Sequence, residues 1–300
     1  MINNIKPWIQ AARLRTLPLS VSGIIVGSAY AYHQGFSDWR IVVLALLTTL
    51  GLQVLSNYAN DYGDGVKGTD ANRIGEKRLV AAGIISAKQM KRAVLITANI
   101  TFILALGLIY IAFGKENFVL SLIFILLGIS SIGAAIKYTV GKGAYGYSGF
   151  GDVFVFVFFG WVSVIGSNFL FTHSIDWKLF LPASSIGLLS VAVLNLNNMR
   201  DIENDTIAGK NTLVVKMGLN WAKKYQEACI AMSSILFIVF CIVVKVSAIP
   251  VLIINIPLLL HIGKIKKSEK YEDFDPELKK VALSTFALSI LFWLTLILNI

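Results

Sequence analysis

The chain has 300 residues, of which 56% are hydrophobic and only 15% charged. A soluble domain carries about 25% charged residues, so this composition, with a mean hydropathy of +0.72, excludes an ordinary water-soluble fold. The net charge is +10, but the basic residues follow a sided pattern, which excludes nucleic-acid binding as their reason.

In chain order, Lys6 to Arg15 (KPWIQAARLR) reads as a short interfacial helix, with Trp8 at headgroup depth. Nine apolar spans follow, near 16–33, 41–58, 93–113, 118–137, 151–171, 179–198, 226–244, 246–263 and 281–299. Each is close to the roughly 20 residues that a bilayer-crossing helix needs. Only Lys245 and Pro250 interrupt the run that holds spans seven and eight. With the N-terminus placed in the cytoplasm, 23 of the 27 Lys and Arg fall on the cytoplasmic side; Arg40, Lys115, Lys178 and Lys245 fall on the other. That asymmetry meets the positive-inside rule and sets a basic collar beside anionic headgroups. No cleavable signal peptide is expected. Lipid forbids unsatisfied backbone, and ten-residue alternating strand patterns are missing. The fold class expected is therefore all-α: a polytopic membrane protein of nine transmembrane helices, one domain over residues 1–300.

Two acidic clusters stand at the cytoplasmic ends of spans two and six. The first reads NYANDYGDGVKGTD (Asn57 to Asp70), the second NNMRDIENDTIAGKNT (Asn197 to Thr212). Asn57, Asp61 and Asp64 are spaced i, i+4, i+7, and Asn197, Asp201 and Asp205 i, i+4, i+8, each on one helix face. Asp is disfavoured at a helix C-terminus, where the macrodipole is already negative, and gathered carboxylates repel one another without a positive group between them. Two such ends point to a metal–phosphate site. Mg²⁺ suits it, since it takes a few carboxylates and fills its shell with phosphate oxygens and water. Four spans separate the clusters, a weak internal repeat that faces two half-sites across a central cavity. Asp70 is either a ligand or a turn former.

Basic residues surround the acids. Lys67, Arg78, Arg200 and Lys210 lie in or beside the motifs and suit a diphosphate; Lys77, Lys88, Lys91 and Arg92 are read as positive-inside residues. The loop KYTVGKGAYGYSGFGD (Lys137 to Asp152) offers Tyr138, Lys142, Tyr145 and Tyr147 among five glycines. It is either an anion-binding loop or an interfacial aromatic belt, and Asp152 is a candidate helix cap. Arg15 either anchors the chain to headgroups or reaches the cavity. His33, His173 and His261 are expected at the interface, and Lys264 to Lys280 as a solvated loop. The aromatics of VFVFVFFGW (Val153 to Trp161) serve packing or line a cation-bearing cavity.

NDYGDGVKGTD, KRLVAAGIIS (Lys77 to Ser86), YTVGKGAYGYSGFGD, FFGWVSVIGS (Phe158 to Ser167) and LNNMRDIENDTIAGKNTLVVKMG (Leu196 to Gly218) resemble the UbiA superfamily of intramembrane prenyltransferases. Within it they are similar to the members that prenylate 1,4-dihydroxy-2-naphthoate in menaquinone biosynthesis. The resemblance implies nine helices, Mg²⁺ as cofactor, and polyprenyl diphosphate and 1,4-dihydroxy-2-naphthoate as substrates. It also implies a bacterial cytoplasmic membrane with the site mouth on the cytoplasmic side. It makes Asp61, Asp64, Asp201 and Asp205 the metal ligands, with Asn57, Asn198, Tyr138 and Lys142 on the diphosphate. Two positions depart from the family pattern: Gly68 stands where an Asp is usual, and Leu14 where Pro is common. A transporter is disfavoured, because the span interiors hold no Asp, Glu, Lys or Arg of the kind that marks ion pathways, and the charges collect at span ends. A scaffold role leaves both acidic clusters unexplained.

Overall fold

The computed structural model describes residues 5–68, 78–141 and 143–298. These residues form helices and connecting turns, with no strand among them. The helices are α1 (Lys6–Ala12), α2 (Leu17–His33), α3 (Trp39–Lys67), α4 (Ala87–Phe113), α5 (Phe118–Lys137), α6 (Gly151–Thr172), α7 (Phe180–Arg200), α8 (Ile202–Ile207), α9 (Leu213–Met217), α10 (Leu219–Val244), α11 (Ile249–Lys267) and α12 (Phe274–Leu298). The helices α3 to α7 and α10 to α12, 8 in all, are long and apolar enough to cross a membrane. The first expected span folds as α2, whose 17 residues sit at the short end of the roughly 17–25 needed for crossing. Length alone therefore supports eight of the nine spans. Besides Leu19, Ile24, Val26 and Tyr30, α2 buries a set of small residues, Ser20, Ser22, Gly23, Gly27 and Ala29.

That composition has a packing reason. Helices in lipid gain little from hiding apolar surface and associate where small residues let backbones approach. A Cβ on Gly27 would stand 2.2 Å from the Val164 carbonyl oxygen of α6, and one on Gly160 of α6 would stand 2.5 Å from the Ala183 carbonyl oxygen of α7. The middle of α6, Phe156–Val162, is a π-helical segment. The main core gathers around α7, α10, α11 and α12. At the other extreme, α5 has no buried residue and packs on α3 and α4. Leu122, Leu126 and Ile129 of α5 and Leu252, Ile256 and Leu259 of α11 are exposed, an outer surface suited to hydrocarbon. Exposed Trp39 and Trp177 stand where α3 and α7 begin, at the bundle end opposite the acidic motifs, as interfacial anchors do.

Two expectations need correcting. The segment 264–280 is not merely a solvated loop, because it ends α11, opens α12 and buries Glu277. His261 is fully buried rather than interfacial. Its Nδ1 lies 2.7 Å from Glu277 Oε2, and its Nε2 lies 3.1 Å from Gln226 Nε2. Lys264 and Lys280 also pair with Glu277. A carboxylate this deep is tolerable only with such partners.

The native Cys229 and Cys241 are buried, so single exposed cysteines can be labelled with little background. Lys270→Cys should react with an impermeant maleimide from one side of the membrane only, and Ser174→Cys from the other only; labelling from a common face would refute the topology. Replacing Gly27 by Val should overpack the α2–α6 crossing by about 1–3 kcal/mol, read as a lowered Tm in detergent.

Candidate active site

The helix α3 runs well past the apolar span, to Lys67, so Asn57, Asp61 and Asp64 share one helix as their spacing predicts. It stops at Gly68, whose φ of 72° is the left-handed cap that glycine favours. The second motif is built differently. The helix α7 ends at Arg200, Asp201 has φ −97° and ψ 10°, and the chain resumes as α8 with Asp205 in its first turn. There a carboxylate meets the positive end of a helix.

All four motif aspartates are buried, and each has basic or backbone donors. Asp64 accepts from Tyr147 Oη at 2.6 Å and from Arg78 Nη2 at 3.1 Å. Lys210 Nζ stands 3.8 Å from Asp64 Oδ1 and 3.4 Å from Asp205 Oδ1, so one ammonium joins the two motifs. Asp201 is held bidentately by Arg200, whose Nε and Nη2 donate to its two oxygens at 2.8 Å each. Asp61 differs from the others. Its carboxylate accepts the backbone N–H groups of Leu79 and Val80 at 3.0 and 2.9 Å, which fastens the loop carrying Arg78 to α3. The glycines of the first motif have matching work. A Cβ on Gly63 would stand 2.9 Å from the Thr139 carbonyl oxygen, and one on Gly65 would stand 2.7 Å from Val80 Cβ.

The remaining expected residues fall around this cluster. Lys67 donates to the Thr139 carbonyl oxygen at 2.8 Å and lies 4.0 Å from the centre of the Tyr147 ring. The Asn57 amide donates to the Ala12 carbonyl oxygen at 2.8 Å and to Thr16 Oγ1 at 3.2 Å, so it fixes the turn that carries Arg13 and Arg15. Asn197, Asn198, Tyr138 and Arg15 line the cavity. Lys142, Asp70 and Lys77 lie outside the described residues. Tyr138 and Tyr145 outside the spans have hydroxyls whose pKa is raised, first by burial, that of Tyr145 to about 12. Both therefore stay protonated near neutrality and can donate. Asp152 is no cap: Phe150 holds that position, and Asp152 is buried in the first turn of α6.

The cavity measures about 840 Å³ and runs the length of the bundle. One end holds Asp64, Asp201, Asp205, Arg78 and Lys210; the walls are apolar, including Ile24, Phe124, Phe158 and Leu170; the far end reaches Leu120 and Ile175. Phe154 and Phe158 of α6 line it, so the aromatic run does face a cavity. Sequence reasoning missed Thr139, Gln53 and Asp275. Gln53 stands one turn before Asn57, and its amide donates to Thr16 Oγ1 at 3.2 Å; an amide in an otherwise apolar span was the available signal.

A polytopic helical bundle with a buried acid–lysine cluster at the mouth of a lipid-sized apolar cavity is an intramembrane site for an anionic head on an apolar tail. Residues 20–291 match the UbiA prenyltransferase family, and the chain belongs to it. It is 48% identical to the 1,4-dihydroxy-2-naphthoate octaprenyltransferase of Escherichia coli (strain K12), over 78% of this chain and 75% of that protein. It is 42% identical to the protein of the same description from Haemophilus influenzae, over 100% of this chain and 98% of the relative. Among solved structures it is similar to a UbiA homolog from Aeropyrum pernix K1, with a TM-score of 0.71 at 15% identity over 96% and 98% of the two chains. A UbiA homolog from Archaeoglobus fulgidus bound to DMAPP and Mg²⁺ superposes with a TM-score of 0.59 at 15% identity, over 92% and 98%.

Because Asp61 satisfies two backbone amides, Asp61→Ala should strand both. At about 1–3 kcal/mol for a buried group left unpaired, its Tm should fall well below that of Asp205→Ala, whose side chain meets a lysine instead. Equal melting temperatures for the two variants would remove the anchoring role of Asp61.

Proposed function

We propose that this protein transfers a polyprenyl group from polyprenyl diphosphate to 1,4-dihydroxy-2-naphthoate, releasing diphosphate and CO₂, in menaquinone biosynthesis. The observation that carries the reading is one long cavity with aspartates, arginines and Lys210 at one end and apolar walls along the rest. A diphosphate needs the first and a prenyl chain the second. The naphthoate acceptor and menaquinone pathway are supported by the two bacterial relatives. The reading takes residues 1–300 as one transmembrane domain in a bacterial cytoplasmic membrane, with the mouth toward the cytoplasm, where the basic collar lies.

Mg²⁺ fits the donors present. Among the described residues no three His, Cys, Asp or Glu side chains are grouped tightly enough to enclose a metal, which agrees with an ion held by few carboxylates and by the substrate's own oxygens. Lys210 already occupies a cation's place between Asp64 and Asp205. One or two of Asp64, Asp201 and Asp205 would hold an ion, the rest of its shell coming from substrate oxygens and water, with Asp61 keeping the Arg78 loop in place beside them. Bound there, Mg²⁺ supplies charge stabilisation to the departing diphosphate.

The chain's own groups do the rest. Lys67, Arg78 and Lys210 offset diphosphate charge as the C–O bond breaks and its electron pair leaves with oxygen, a role the family resemblance also gives to Lys142. Tyr138 and Asn198 offer donors to the phosphate oxygens, and Arg200 holds Asp201. The apolar walls keep water from the allylic carbon, and the rings of Phe154 and Phe158 face the positive charge that develops there. The electron-rich naphthoate ring then forms the new C–C bond and loses its carboxylate as CO₂. Arg15, at the cavity's N-terminal edge, is suited to hold that carboxylate in a bidentate pair.

Membranes containing the protein, incubated with octaprenyl diphosphate and 1,4-dihydroxy-2-naphthoate, should yield the prenylated, decarboxylated product with Mg²⁺ and none with a chelator. Asp64→Ala and Asp201→Ala should each lower turnover by about two orders of magnitude, on the scale of a lost electrostatic group. Near-normal turnover of either variant would sink the site assignment. Faster prenylation of 4-hydroxybenzoate would overturn the acceptor and leave the reaction class standing.

A further inference from the structure

Asp275 belongs to neither acidic motif. It lies in the first turn of α12, in the segment whose sequence reads as a loop, and it is not among the residues that line the cavity. Yet it meets two guanidinium groups: that of Arg15, which does line the cavity, and that of Arg200, which holds the lining residue Asp201. Arg200 Nη1 donates to its Oδ1 at 2.5 Å, and Arg15 Nη1 lies 3.3 and 3.2 Å from its two oxygens. Arg200 is fully buried and is shared three ways, between both oxygens of Asp201, Asn197 Oδ1 at 2.7 Å, and Asp275. Glu277, two residues on, is engaged with His261, Lys264 and Lys280 and is no substitute.

We propose that Asp275 is a positioning residue that sets how strongly Asp201 attracts a divalent cation. This rests on the reading above in which Asp201 faces Mg²⁺. The argument is one of charge. Arg15, Asp275, Arg200 and Asp201 together are neutral. A cation approaching Asp201 must compete with Arg200 for the same oxygens, and Asp275 draws the guanidinium the other way. Without the Asp275 charge the group carries one net positive charge, and Arg200 has only Asp201 as an ionic partner. Like charge then disfavours a cation at Asp201. Arg200 is held by planar, directional bonds, so its fixed plane also fixes that of the Asp201 carboxylate.

The test measures Mg²⁺ affinity apart from turnover. Purified protein is loaded with a non-cleavable prenyl thiodiphosphate, and Mg²⁺ is titrated against tryptophan fluorescence; steady-state Mg²⁺ dependence is measured in parallel. Asp275→Asn should weaken the apparent Kd and KM for Mg²⁺ by about tenfold, with kcat at saturating Mg²⁺ within about threefold, on the scale of one nearby charge. Asp275→Glu should recover most of the affinity. Wild-type Mg²⁺ affinity in Asp275→Asn, or a fall in kcat with unchanged Mg²⁺ dependence, would overturn the proposal. Should Asp275→Asn not fold, Arg15→Gln decides: it frees Asp275 for Arg200 alone and should tighten Mg²⁺ about twofold or more, and unchanged or weaker binding counts against the idea. Asp64→Asn is the control for the underlying reading. If it too keeps wild-type Mg²⁺ affinity, the metal site itself is misassigned and the role of Asp275 falls with it.

Discussion

Buried carboxylates exist only where something positive meets them, and this protein brings four to one end of an apolar bundle. Lys210 is the link on which the arrangement turns. Its ammonium joins Asp64 of α3 to Asp205 of α8, two groups about 140 residues apart in the chain. The other acids are compensated locally: Asp61 by two amides, Asp201 by Arg200, Asp64 also by Arg78 and Tyr147. Each of the four carboxylates thus meets a donor from the protein itself. Two lysines beside the Tyr147 ring keep positive charge at the mouth.

The rest of the fold serves that cluster. Glycines set the distances: Gly63 admits the Thr139 backbone and Gly65 admits Val80, so two separate loops close on α3 within one turn of Asp64. Farther into the bundle, Gly27 and Gly160 let α2, α6 and α7 cross closely, which builds a wall along the cavity. The edge helix α5 does the opposite. With no buried residue, it gives one apolar face to the cavity and leaves the other for lipid. A prenyl substrate dissolved in the bilayer thus meets a bundle tight on one side and loosely covered on the other.

The fold class was legible in the sequence because lipid leaves few choices. A run of apolar residues long enough to cross must be helical, and the basic residues sort themselves by side. The acidic motifs were legible because acids gathered at helix C-terminal ends have no cheap explanation. The same reasoning went astray wherever a role depended on what stands opposite. His261 and the 264–280 segment looked peripheral because nothing along the chain announces a buried Glu277. For Asn57, which lines the cavity, the chain gave no sign that its amide also holds the turn at Ala12 and Thr16.

By itself, then, the sequence determined the all-helical membrane fold, the end of the bundle that carries charge, and the residue types that meet there. Those follow from composition and periodicity, which act locally. Only the tertiary structure decided which carboxylate meets which cation. It gave Asp61 to the backbone, Asp64 and Asp205 to a shared lysine, and Asp201 to an arginine held from behind by Asp275. Such pairings join residues up to 260 positions apart. They are set by how helices cross, and no pattern along the chain encodes a distance between two side chains on different helices.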